Sequence, residues 1–210
     1  MMFDKPFKDA ISRLPSAEKD KLIFRLLKKD LDLANRLLFE LVSSDSQEDR
    51  RREAKKRIDN MIAKSRNRLY SSPGILLMEM KNVSGVINEH VNITKDKYGE
   101  VYLQLFVLNE YLQMYNDHFK DASPGKSYTF NLYLVAKVFK IMILLKKMHE
   151  EILVDFANDL EKAGRLFGDN PGLMNAARYN GLDVNWLIEN KIPDNIAERE
   201  KDLRQNGYLK

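Results

Sequence analysis

Apolar residues recur along this chain at intervals of three and four, the spacing that lines one face of an α-helix. No stretch alternates apolar and polar residues between turn clusters, as a half-buried strand would. Proline and glycine are scarce, at six and nine residues, and between Leu14 and Pro171 the prolines stand only at 15, 73 and 124, near expected helix starts. The pattern predicts an all-α protein, a multi-helix bundle or irregular helical array with an N-terminal helical hairpin.

A short helix is expected over about 6–14. The next carries Leu22, Ile23, Leu26 and Leu27 and breaks near Asp30; a third carries Leu33, Leu37, Leu38, Leu41 and Val42 and breaks over 43–46. The second and third align with each other at an offset of 15, Leu22-Ile23-Phe24 against Leu37-Leu38-Phe39. That predicts a hairpin over 16–44 whose apolar stripes face each other. It resembles one unit of a helical solenoid, an architecture that needs about three units to bury a core.

A basic helix follows over 46–70, with Ala54, Ile58, Met61, Ile62 and Leu69 as its apolar stripe. Core helices are expected over 74–162. The first, 74–94, has the stripe Leu76, Met80, Val83, Ile87 and His90. The second, 99–119, is apolar around its circumference and so buried on several sides. The third runs 128–162 and holds the apolar stretch 132–145. Those 14 residues fall short of the roughly 20 a membrane span needs, and Lys137 and Lys140 interrupt them, so the expectation is a bundle core and no membrane. Leu105, Leu108, Leu112, Val138, Met142 and Leu145 are the expected main core. After Lys162 the glycines crowd, with short helices at 171–180 and 183–190 and a charged tail read as partly disordered. The division is a main domain, 1–165, and a small helical C-terminal appendage, 166–210.

Composition adds exclusions. In 210 residues there is no cysteine, hence no disulfide framework, thiolate metal site or cysteine nucleophile. Net charge is +4, but residues 50–68 hold nine Lys/Arg against Glu53 and Asp59; that +7 leaves −3 elsewhere. The basic character belongs to one helix. Arg50, Arg57, Lys64 and Arg68 recur every seven or four residues and are the candidate contacts to an anion or nucleic acid. The competing reading, a solvated face balanced by Asp45, Glu48 and Asp49, weighs more.

Other signals carry less. Gly125-Lys126-Ser127 ends like a phosphate-binding loop, but Lys120 stands where the first glycine belongs and a helix replaces the strand in front. It is read as a helix–helix loop with Ser127 as N-cap. His90, His118 and His149 fall on three helices, yet the residues three before them are Ile87, Tyr115 and Lys146, so the Glu-x-x-His of a di-iron bundle is missing. Ala177 to Leu187 resembles a helix-turn-helix corner, with a short second helix carrying Asp183 and Glu189 against Lys191. No catalytic residue, cofactor or metal is called for. The start, MMFDKPFKDA, has no apolar run. The expectation is a cytoplasmic, non-catalytic interaction or scaffold protein whose partner is another protein. Nucleic-acid association through 50–68 is the alternative, and an enzyme with a helical-core site, unsupported by any motif, is the third.

Overall fold

Every regular element in the computed structural model, which describes residues 3–68, 70 and 72–210, is helical. The order is α1 (Lys5–Arg13), α2 (Ser16–Leu27), α3 (Leu31–Leu41), α4 (Gln47–Arg66), α5 (Pro73–Thr94), α6 (Lys97–Phe119), α7 (Pro124–Leu145) and α8 (Glu150–Leu153). A single 3-10 turn, Val154–Phe156, leads into α9 (Ala157–Gly168); α10 (Pro171–Tyr179), α11 (Asn185–Ile188) and α12 (Ile196–Gln205) complete the chain.

The starts follow from local chemistry. Asp4, Asp30, Asp96 and Asn170 each accept a hydrogen bond from a first-turn backbone N–H. Ser46 and Asp49 cap α4 reciprocally, each side chain accepting from the other's backbone N–H. Proline occupies the first turn of α1, α5, α7 and α10, where a missing N–H costs nothing.

The core is built on α5, α6 and α7. α6 packs against α4, α5, α7 and α9, which explains why apolar residues surround it. All six expected core residues, from Leu105 to Leu145, are at most 1% exposed. The α4 stripe is buried at Ala54, Ile58 and Ile62, with Met61 partly so; Leu69 lies outside the described residues.

Three expectations need correction. The segment 128–162 is not one helix: α7 begins earlier, at Pro124, and ends at Leu145, and the chain turns before α8 and α9. No proline or glycine forces that turn. The break lets α9 fold back onto α6, burying Leu160, Ala163 and Phe167. The tail is ordered. α12 packs on α7, Ile196 and Leu209 are buried, and the Leu209 N–H donates to Asn180 Oδ1 at 2.9 Å. Its neighbour Gly181 adopts φ +70°, and a Cβ there would meet the Leu203 side chain at 3.0 Å. Finally, α2 and α3 form a consecutive pair, but their stripes do not bury each other: α3 lies chiefly on α5.

At 22 residues α7 is long and apolar enough to cross a membrane by length and composition. Yet 56% of its most apolar window is buried inside the protein, against α5, α6, α10 and α12.

Candidate functional site

Helices α1 to α3 are amphipathic, α1 and α3 are capped by Asp4 and Asp30 while α2 has no capping side chain, and none of the three has a buried residue. Phe3, Phe7 and Ile11 on and before α1, Ile23, Phe24 and Leu26 on α2, and Leu31, Leu38, Leu41 and Val42 on and after α3 are all exposed. Phe24 reaches 64% and Leu41 77%. Phe3 and Phe7 pair with each other, with ring centroids 5.1 Å apart. Single exposed apolar residues are ordinary, but eleven, counting Leu33, on three consecutive helices and the residues that flank them, beside a core helix like α6, are not.

The basic helix α4 is held differently. Arg57 is bound by Glu89 on α5 (3.0 and 3.3 Å), which raises the guanidinium pKa still further. Arg68 donates to Glu79 at 2.6 Å, and Arg50 donates to Glu53 at 3.1 Å with Asp45 3.5 Å away. Lys64 is exposed and has no ion-pair partner among the described residues. Beyond the four candidates, Arg66 pairs with Glu110, and Lys55 pairs with Asp59 at 2.6 Å while its Nζ sits 3.6 Å over the Phe106 ring. The excess charge is thus divided among carboxylates of α4, α5 and α6. Arg50 and Arg57, with Asn35, Glu53, Glu89 and His90, border a 230 Å³ groove between α3, α4 and α5.

Two buried carboxylates organise that side of the molecule. Burial alone would raise Asp96; hydrogen bonds from His90 Nε2 (3.1 Å), Arg51 (2.7 and 2.8 Å) and the Gly99 N–H (2.9 Å) overcome it and hold the carboxyl far below the usual range. Arg51 also stacks 4.8 Å over the Tyr98 ring. Glu79 behaves alike, its burial outweighed by donors from Ser65 (2.6 Å), Tyr70 (2.6 Å) and Arg68. Both acids have their acceptor capacity committed to neighbouring elements, as structural clasps between helices.

In the sequence Lys137 stands out only as an interruption of the apolar run, and its buried place is not foreseen there. It breaks an apolar run as an exposed lysine would, but it is buried between α5, α6 and α7. Its Nζ donates to Ser84 Oγ at 3.1 Å and to Gln104 Oε1. Burial, with the nearby charge of Lys140, brings its pKa down to about 7 against the opposing pull of Glu100. The signal available was its register with Leu134, Val138 and Ile141 on the inward face of α7.

The three histidines do not form a set. His90 is buried against Asp96, whereas His118 and His149 are exposed, and His90 and His118 lie near opposite ends of α6. No group of three metal-ligating side chains occurs among the described residues. The helix-turn-helix corner lacks a reading helix, since α11 has four residues. Ser127 is not an N-cap. Pro124 starts α7 three residues earlier and carries Ser127 into its first turn, buried.

No protein-family description matches the chain, and no curated protein or solved structure is detectably similar to it.

Proposed function

We propose that this is a cytoplasmic, non-catalytic interaction protein that docks another protein on the apolar face of α1–α3. The observation that carries the reading is the contrast between two kinds of amphipathic helix: the long helices from α4 onward bury their stripes within the chain, while the first three, although α3 rests on α5, have no buried residue and leave most of their large apolar side chains exposed. The absence of cysteine fits a reducing compartment.

The charge around the face favours a protein. Residues 1–46 carry nine basic and eight acidic side chains, a mixed frame suited to the polar rim of a protein interface. A phosphate backbone or an anionic lipid surface would call for one sign. The ion pairs of Arg50, Arg57 and Arg68 weigh in the same direction, because a nucleic acid would have to displace them.

A photoreactive residue in place of Phe24, in the full chain expressed in its own cells, should cross-link to a second polypeptide. With that partner purified, Phe24→Asp with Leu41→Asp should weaken binding about tenfold or more, as expected for interface anchors. Arg57→Gln with Lys64→Gln should leave it unchanged. Adducts only to a second copy of this chain would overturn the reading. So would binding lost with the arginine and lysine but kept without the apolar pair, or salt-dependent retention on duplex DNA near 150 mM salt.

A further inference from the structure

The face of α7 at Pro124, Ser127, Tyr128, Asn131 and Leu132 turns toward α10 and forms with it a 290 Å³ pocket, lined also by Tyr115 of α6. The volume is at the lower end for small-molecule sites. Its walls are apolar and aromatic, with Tyr128 from α7 and Tyr179 from α10 both more than half exposed at the opening. Among the described residues no carboxylate lines it, and Lys120 stands on its border.

Some of its polar groups are already engaged. Asn170 caps α10 and donates to Asn116 Oδ1, and Asn180 holds the Ala176 carbonyl and the Leu209 N–H. Tyr115 donates its hydroxyl to Asn131 Oδ1 at 2.7 Å. What remains is specific. Ser127 is 2% exposed, and its Oγ, close to the Tyr115 hydroxyl, has no hydrogen-bond partner within 3.5 Å among the described residues. A buried hydroxyl left without a partner is uncommon and costly, and at a pocket wall it marks where a ligand atom would sit. The Asn131 amide nitrogen has no bond among the described residues and stands 3.6 Å from where a Cβ on Gly172 would be. The absent side chain keeps that nitrogen open to the pocket. Both groups lie on the first two turns of a 22-residue helix whose N-cap, Ser123, makes no side-chain capping bond. The positive end of the helix dipole favours negative charge near the first turn, where Ser127 stands.

We propose that this pocket binds a small aromatic carboxylate, its ring between the tyrosines and its carboxylate on Ser127 Oγ, Asn131 Nδ2 and the Lys120 ammonium. The tyrosine walls select a flat ring, the three donors select an acceptor-rich group, and the lysine with the helix terminus selects a charged one. The site is separate from the docking face on α1–α3 and does not depend on it.

The test is a titration of the ¹⁵N-labelled full chain with benzoate, benzamide and inorganic phosphate. Benzoate should give saturable shifts centred on 127–131 and 172–176 with a dissociation constant near or below about 1 mM. Benzamide and phosphate should each bind at least about tenfold more weakly. Ser127→Ala, with unchanged thermal unfolding, should weaken benzoate about tenfold, and Ala176→Leu should block it by filling the pocket. Lys120→Gln should abolish the preference for benzoate over benzamide. The proposal fails if benzoate gives no saturable shift up to about 10 mM, if the shifts centre elsewhere, or if Ser127→Ala and Ala176→Leu leave binding intact.

Discussion

Replacing Lys137 by methionine should change how stability depends on pH more tellingly than it changes stability itself. The side chain is buried and its pKa stands at about 7, against the ordinary lysine value of 10.5 for the unfolded chain. Between those two values the unfolded state binds the proton and the folded state gives it up, so stability rises with pH across that window. The slope cannot exceed about 1.4 kcal/mol per pH unit, and between pH 7 and 9 the single group contributes a rise of roughly 2 kcal/mol. The tyrosines that burial holds up, Tyr70 and Tyr111 (the latter at about 12), titrate above that range and do not enter. Methionine keeps the length and volume of the stem but donates nothing, so Gln104 Oε1 and Ser84 lose a donor at about 1–3 kcal/mol, a cost independent of pH. Urea denaturation of both proteins at half-unit steps from pH 7 to 9 separates the two effects. The wild type should gain about 2 kcal/mol over the variant across the series. Parallel curves would mean that Lys137 stays charged in the fold, its ammonium satisfied by Ser84 and Gln104, and would refute the reasoning.

Leu108, 1% exposed at the centre of α6, should cost about 2–5 kcal/mol when cut to alanine, read by denaturant unfolding; a loss well below that would remove α6 from the centre of the core. Asp96, held low by His90, Arg51 and the Gly99 N–H, contributes stability that is present above the unfolded value of 3.8 and lost as pH falls below it toward the lower folded value. Thermal unfolding from pH 6 to 3 should therefore fall more steeply in the wild type than in Asp96→Asn. The variant itself should be destabilised at neutral pH, because Arg51 loses its carboxylate.

What the sequence made legible was periodicity. The buried faces of α4, α5 and α6 lie where spacing places them, from Ala54, Ile58 and Ile62 to Leu105, Leu108 and Leu112. Decisions made by tertiary contact were not legible. The turn after Leu145 has no breaker residue, and its local trace is the acidic pair Glu150 and Glu151 in the first turn of a new helix. The excess charge of α4 could be counted, and its local partners Asp45, Glu48 and Asp49 named, but Glu79, Glu89, Asp96 and Glu110 come from elsewhere in the fold. The pocket was hidden for a related reason. Ser127 and Asn131 share one helical face with Pro124 and Tyr128, but the wall opposite them begins about forty residues later in the chain, at Asn170.

The same limit applies to the first three helices, and there it is informative. An apolar stripe states that a helix gains by covering one face, at about 25 cal/mol for each Å² removed from water, and does not state what covers it. For α5, α6 and α7 the cover is one another. For α1 and α2 the described residues offer little: α2 touches α3 lightly, α1 packs extensively on no element, and α3 turns Leu31, Leu38 and Leu41 outward. An isolated helix of nine to twelve residues is marginal in water, since its nucleation cost is repaid mainly by tertiary packing. Strong caps at Asp4 and Asp30 and an unmet apolar face on the same segment therefore belong together. The caps define α1 and α3, α5 supports one side of α3, and under the docking proposal a partner would supply the cover that the remaining apolar faces lack.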